Sequence, residues 1–93
     1  MKIVTVCGHG LGSSFMVEMN INKALSEFGL DDIEVSHSDL GSVTNADADI
    51  FVVGKDLADA TSSLDNVITL DTLIDYPELK TKLEAALKEK GKL

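Results

Sequence analysis

Apolar residues occur along this chain in two rhythms. Short blocks rich in β-branched residues recur at Lys2–Val6, Ile33–His37, Ile50–Gly54 and Val67–Leu70, each followed by a longer polar or helix-compatible stretch. Such alternation predicts an α/β fold with a parallel sheet, because consecutive parallel strands need a crossover of a dozen or more residues between them. Ile3-Val4-Thr5-Val6 and Ile50-Phe51-Val52-Val53 are apolar almost throughout, as strands covered on both faces are, whereas Ile33-Glu34-Val35-Ser36 alternates as an edge strand does. The expected architecture is an open four-stranded sheet of order 2-1-3-4 with helices on both faces.

The second rhythm is helical. Between Ser13 and Phe28, the residues Val17, Ile21, Ala24, Leu25 and Phe28 share one face at 3.6-residue spacing, and Gly29 stands where a C-terminal cap is expected. Phe15 and Met19, one turn apart, fall on the opposite side. Two readings stand for them: a small exposed apolar patch, or burial of Phe15 beneath a neighbouring loop. A last helix is predicted from Asp75, which has capping-box spacing to Glu78, with Pro77 tolerated in the first turn. Leu79, Leu83, Ala86 and Leu87 form its core stripe, Lys80, Lys82, Lys88 and Lys90 its solvent side, and Gly91 its end. Ser42–Ala48 and Lys55–Leu64 are short, polar and helix-compatible, with Asp56 or Asp59 as caps.

Composition narrows the function classes. The 93 residues, 44% of them hydrophobic, suit a single domain over 1–93 with one core. The longest unbroken apolar run is the four residues Ile50–Val53, and the first residues lack a signal peptide's apolar region, so a soluble cytoplasmic protein with no direct membrane insertion is expected. A net charge of −8 without a basic cluster outside the last helix argues against nucleic acid as a partner. One cysteine makes no internal disulfide, which fits a reducing compartment and leaves reactivity or inert burial as its role.

That cysteine stands at the most informative place in the chain. Cys7 follows the first predicted strand and opens Cys7-Gly8-His9-Gly10-Leu11-Gly12-Ser13-Ser14. Glycines let successive amides turn toward one point, and the following helix adds unpaired N–H groups and a positive dipole end. Together these favour a phosphate dianion and depress a neighbouring thiol's pKa, so Cys7 is a candidate nucleophile. Its place at the strand-order reversal adds an independent argument, since open parallel sheets bind ligands there. No lysine stands where a P-loop needs one, and the third glycine of a dinucleotide fingerprint falls at Ser13. In the phosphatase pattern of cysteine, five residues, arginine and a hydroxyl residue, the arginine position is also Ser13, which removes the bidentate clamp used in hydrolysis. Cys7 and His9 alone make no metal-ligand set, and no cofactor is expected.

From Lys2 to Phe28, the strand running straight into Cys7-Gly8, the further glycines Gly10 and Gly12, and Ser13-Ser14 together resemble the enzyme IIB component of sugar phosphotransferase systems, most closely its ascorbate and galactitol branch. Chain length and the four-strand alternation extend the resemblance over the whole sequence. It implies a fold similar to low-molecular-weight tyrosine phosphatases and a phosphotransferase in which Cys7 takes a phosphoryl group from a phosphohistidine of a IIA protein. Cys7 would then pass it to an ascorbate-type sugar held by the membrane IIC transporter. Gly8, His9, Gly10, Leu11, Gly12, Ser13 and Ser14 would bind the phosphoryl group, and Phe15 with Met19 would dock partners. Ser13 and Ser14 can also serve as helix caps, His9 as an ordinary loop residue, and Asp71 as a turn or cap residue. Lys55 and Asp56 follow the third strand on the same side. Two rivals remain in view: a phosphatase or arsenate-reductase-like enzyme, and a non-catalytic regulatory module.

Overall fold

The computed structural model describes residues 1–7, 11–71 and 75–93, without the side chains at 7, 11–14 and 56. In chain order the elements are β1 (Lys2–Cys7), α1 (Leu11–Glu27), β2 (Glu34–Asp39), a 3-10 turn at Asn45–Asp47, β3 (Ile50–Gly54), a second 3-10 turn at Lys55–Leu57, β4 (Val67–Leu70) and α2 (Tyr76–Glu89). The four strands form one parallel sheet of order β2-β1-β3-β4, as the alternation of the sequence predicts.

The connection from β1 to β2 steps one way across the sheet, and those from β2 to β3 and β3 to β4 step the other way. Right-handed crossovers therefore place α1 on one face and the two later connections on the opposite face. The apolar clusters follow this division. On one face Ile3, Ile50, Val52, Ile68 and Leu70 pack with Val17, Ile21, Ala24 and Leu25 of α1 and Leu79, Leu83 and Leu87 of α2. On the other, Val4, Val6, Phe51 and Val53 are covered by Leu40, Val43, Ala48, Leu57 and Leu64. Helices on both faces thus needs one correction: both α-helices lie on the first face, and the second is roofed by short 3-10 turns and irregular chain. The segments there are too short to form and bury a full amphipathic helix. Asn45 stitches this roof together, donating to Ser63 O at 3.1 Å and accepting from Asp65 N at 2.7 Å.

Both helices end as their glycines predict. Gly29 and Gly91 take φ of 76° and 79°, in the left-handed region that favours glycine. Leu30 N donates to Leu25 O and Lys92 N to Leu87 O, at 2.9 and 2.8 Å, closing the same C-terminal motif on each helix. At the start of α2 the Asp75 carboxylate accepts from Glu78 N at 3.2 Å. The Glu78 carboxylate accepts from Asp71 N and from Lys82 Nζ, each at 2.9 Å. Lys82 departs from its expected solvent-side role, because its ammonium also donates to Thr69 O at 2.6 Å and pins α2 to β4. A long apolar stem allows a lysine to lie along the helix flank and deliver its head to a carbonyl.

The two helices are also clasped through Tyr76, whose hydroxyl donates to Glu27 Oε1. Lys80 pairs with the same carboxylate at 3.0 Å, and Lys23 Nζ lies 4.5 Å from the centre of the Tyr76 ring. Desolvation and the adjacent Glu27 carboxylate push Tyr76 up to about 12, while the Tyr76 hydroxyl and then Lys80 hold Glu27 below its ordinary range.

Two outcomes test this packing. Leu83 is fully buried, so Leu83→Ala lowers the unfolding free energy by about 2–5 kcal/mol in urea titrations. Tyr76→Phe removes a clasp that needs the neutral phenol and the charged carboxylate. The folded protein holds the Tyr76 proton more tightly than the unfolded chain, whose ordinary value is 10.0, so stability from this group is whole below that pH and lost on rising through about 12. The stability gap between wild type and Tyr76→Phe stays level over neutral pH and closes over that alkaline window, as urea midpoints at a series of pH values will record. Lowered Glu27 adds an acid limb, its contribution falling away below the ordinary 4.5.

Candidate functional site

Because all four strands run the same way, Cys7, Asp39, Gly54 and Leu70 mark one rim of the sheet. Cys7 pairs in register with Asp39 of β2. On its other side, β1 and β3 both end two residues beyond the Thr5 and Val52 pair, at Cys7 and Gly54. The strand order reverses between β1 and β3, so Cys7 occupies the crevice position where open parallel sheets take ligands.

The helix behind this rim starts earlier than its sequence suggests. α1 begins at Leu11, so Ser13 and Ser14 lie inside its first turn. A helix's N-cap stands just before its first residue, so neither serine is the N-cap residue; Ser13 is the third helical residue, and its amide is among those that have no acceptor within the helix. That turn carries no acidic residue, whereas α2 has the Asp75 carboxylate at its N-cap and Glu78 in its first turn. The positive end of the α1 dipole is therefore not offset by a carboxylate of its own first turn. Gly8, His9 and Gly10 lie outside the described residues, and of Cys7, Leu11, Gly12, Ser13 and Ser14 only the backbone is described.

Beyond the first turn, α1 displays Phe15, Met16 and Met19 at 57%, 47% and 57% exposure. The exposed alternative for Phe15 and Met19 is the one the fold adopts, and Met16 joins them. Met16 escaped the sequence reasoning because its angular position lies between the core stripe and the opposite face; its neighbour Val17 carries the core contact instead.

Other polar residues of the strands and their ends take distinct roles. His37 Nδ1 lies 2.8 Å from Glu18 Oε1, tying β2 to α1 on the solvent side. Asp71 N donates to Glu78, which makes Asp71 a turn residue at the end of β4. Lys55 is exposed at the rim, directly after β3. The 3-10 turn that bears it is braced from below: Leu57 packs in the second apolar cluster, and the buried Thr61 hydroxyl reaches Leu57 O and Ala58 O at 3.0 and 3.1 Å. A shallow groove of about 470 Å³ runs between β4 and α2, lined by Val67, Thr69, Lys82 and Glu89, with β3 standing between it and β1. Among the described residues no three His, Cys, Asp or Glu side chains come together as a metal site. No helix among them is long and apolar enough to cross a membrane.

The four-stranded 2-1-3-4 fold is one that this chain shares with solved structures of two kinds. A low-molecular-weight protein tyrosine phosphatase from Bacillus subtilis is similar over 98% of this chain and 99% of its own, at 15% identity and a TM-score of 0.62. The lactose-specific IIB component domain of the phosphoenolpyruvate:carbohydrate phosphotransferase system from Streptococcus pneumoniae is similar over 97% and 93%, at 14% identity and a TM-score of 0.57. No curated protein matches the chain in sequence. The family model for the lactose/cellobiose-specific IIB subunit of the phosphotransferase system matches residues 2–85, and the chain belongs to that family.

Membership supports a phosphoryl-carrying role in sugar transport and phosphotransferase activity in general. The family model that matches is the lactose/cellobiose type, and nothing in the match supports the ascorbate and galactitol branch. The phosphatase reading shares the fold but meets a chemical obstacle, since the chain contains no arginine at any position.

Proposed function

We propose that the chain is the IIB phosphoryl carrier of a sugar phosphotransferase system, with Cys7 as the residue that bears the phosphoryl group. The supporting observation is the place of Cys7: last residue of β1, at the strand-order reversal, four positions before a helix whose first turn bears no carboxylate. The thiolate sulfur attacks the phosphorus of a phosphohistidine on a IIA partner. The S–P bond forms as the P–N bond breaks, and the imidazole nitrogen keeps the electron pair and takes up a proton. In the second step a sugar hydroxyl oxygen held by the membrane IIC partner attacks the same phosphorus, the P–S bond breaks, and the thiolate is restored as the hydroxyl proton leaves to a base.

Both steps are in-line displacements, so catalysis consists of positioning and charge stabilisation. Backbone amides of Gly8 to Ser14 receive the phosphoryl oxygens, the Ser13 and Ser14 hydroxyls add donors, and His9 stands close enough in sequence to join them. The helix end favours the thiolate at neutral pH. Phe15 and Met19, with Met16 beside them, supply an apolar landing patch at the rim of the site, where IIA and IIC must dock and leave in turn. A IIB role supports the reading that this work is done in the cytoplasm. The sugar is the part of the assignment that the partner decides, and the family match directs the first assays to lactose- and cellobiose-type disaccharides.

Incubated with a phosphorylated lactose-type IIA protein, the wild-type chain gains one phosphoryl group in intact mass, and Cys7→Ser gains none. Phosphorylation of Cys7→Ser to the wild-type level removes Cys7 from the mechanism. The unphosphorylated protein alone does not turn over an aryl phosphate; sustained hydrolysis would favour the phosphatase reading. Met19→Asp slows transfer from IIA about tenfold or more while changing the unfolding free energy by no more than about 1 kcal/mol, because the residue is exposed. Unchanged transfer with that variant removes the docking patch.

A further inference from the structure

A phosphoryl dianion on Cys7 meets an unfavourable local field. Asp39 is in register with Cys7 on β2, Asp71 follows β4 on the same rim, and the chain carries a net charge of −8. The arginine that a phosphatase would place here is absent, and all eight basic residues are lysines. Their positions are decisive. Lys2 pairs with Glu34, Lys80 with Glu27 and Lys82 with Glu78, and Lys23 lies over the Tyr76 ring. Lys88, Lys90 and Lys92 stand at the far end of α2. Lys55 remains: exposed, without an ion pair among the described residues, and first after β3, the strand beside β1.

The spacing is right for contact. Neighbouring strands lie about 4.8 Å apart and residues advance about 3.3 Å along them, which puts Lys55 on the order of 6 Å from Cys7 between Cα atoms. A lysine stem spans such a gap with its head in solvent. The turn beneath it is held by Leu57 in the apolar roof and by the buried Thr61 hydroxyl, so the lysine projects from a fixed base.

We propose that Lys55 is the cation of the phosphoryl site, supplying from the turn after β3 the positive charge that faces the phosphoryl oxygens on Cys7. This rests on the reading of Cys7 as the phosphoryl acceptor. As a point charge without arginine's planar fork, it favours the dianion without clamping two oxygens in the bidentate geometry that suits hydrolysis. Lys55 touches the transferred group and so acts on both transfers, into and out of the carrier.

The test uses the full chain phosphorylated by a IIA protein, as wild type, Lys55→Met, Lys55→Arg and the remote Lys92→Met, which changes net charge equally. Phosphorus NMR titration of the cysteine phosphate reads the site directly. In Lys55→Met the second ionisation of the phosphate rises by about half a pH unit or more, because an opposite charge near an acid favours its ionised form, and transfer from IIA slows about tenfold. Lys55→Arg restores most of the shift, and Lys92→Met matches wild type. A titration in Lys55→Met identical to wild type, or an equal shift in Lys92→Met, overturns the role of Lys55 while leaving Cys7 phosphorylated. Absence of a phosphoryl group on wild-type Cys7 is the separate result that removes the underlying reading along with it.

Discussion

Parallel pairing of β1 with β3, both covered on two faces, is the constraint from which the rest of the molecule follows. Ile3, Val4, Val6 and the four residues Ile50 to Val53 are all at 4% exposure or less. Parallel strands cannot be joined by a tight turn, so their pairing obliges the chain to leave the sheet and return across it. Because β2 lies on the other side of β1, the direction of travel reverses once, and right-handed crossovers split the coverings between faces. The same reversal opens a crevice at the carboxyl end of β1, where neither crossover passes. The site is thus a by-product of how the two central strands are buried.

Electrostatics then distinguishes the two helix starts that face this rim or lie near it. α2 closes its own amino end with Asp75 and spends Glu78 on Asp71 and Lys82, securing the connection from β4. α1 has no acidic residue in its first turn, and its first carboxylate, Glu18, is engaged by His37 of β2. One helix start is a structural joint, and the other carries no carboxylate in its first turn. In a chain this acidic, leaving one helix start free of carboxylates matters, since an anion would otherwise be repelled from every side.

Much of this was legible in the sequence, for identifiable reasons. The strands and their order follow from the unbroken apolar runs at Ile3–Val6 and Ile50–Val53 against the alternation at Glu34–Ser36, because burial on two faces and on one leave different patterns. Gly29 and Gly91 announced the helix ends, since a left-handed residue is needed there. What the sequence hid were matters of geometry. The start of α1 at Leu11 has no sequence marker, as glycine and leucine precede the serines that ordinarily signal a start. Lys82 reads as solvent-side by helical spacing, yet its stem turns toward Thr69 O. The roof over the second face lacks periodicity because it is made of 3-10 turns held by Asn45 and Thr61 rather than by an amphipathic stripe. Of the candidate site, the position of Cys7 on the rim was legible, whereas Met16 as part of the exposed patch required the packed helix to show which flank was left uncovered.

The absence of arginine bears on why one fold serves two chemistries. A hydrolase needs strong stabilisation of the transferring group while water attacks, and a bidentate guanidinium provides it. A carrier has the opposite requirement: its phosphorylated state must outlive the search for the next partner, so the group should be favoured by binding but not activated toward solvent. Under the proposed carrier role, amides at a helix start and the single lysine after β3 would attract the dianion without holding it in the hydrolytic geometry. Ser13 at the arginine position, Lys55 directly after the neighbouring strand and the exposed apolar patch proposed to dock the partner are, on this argument, three parts of one solution.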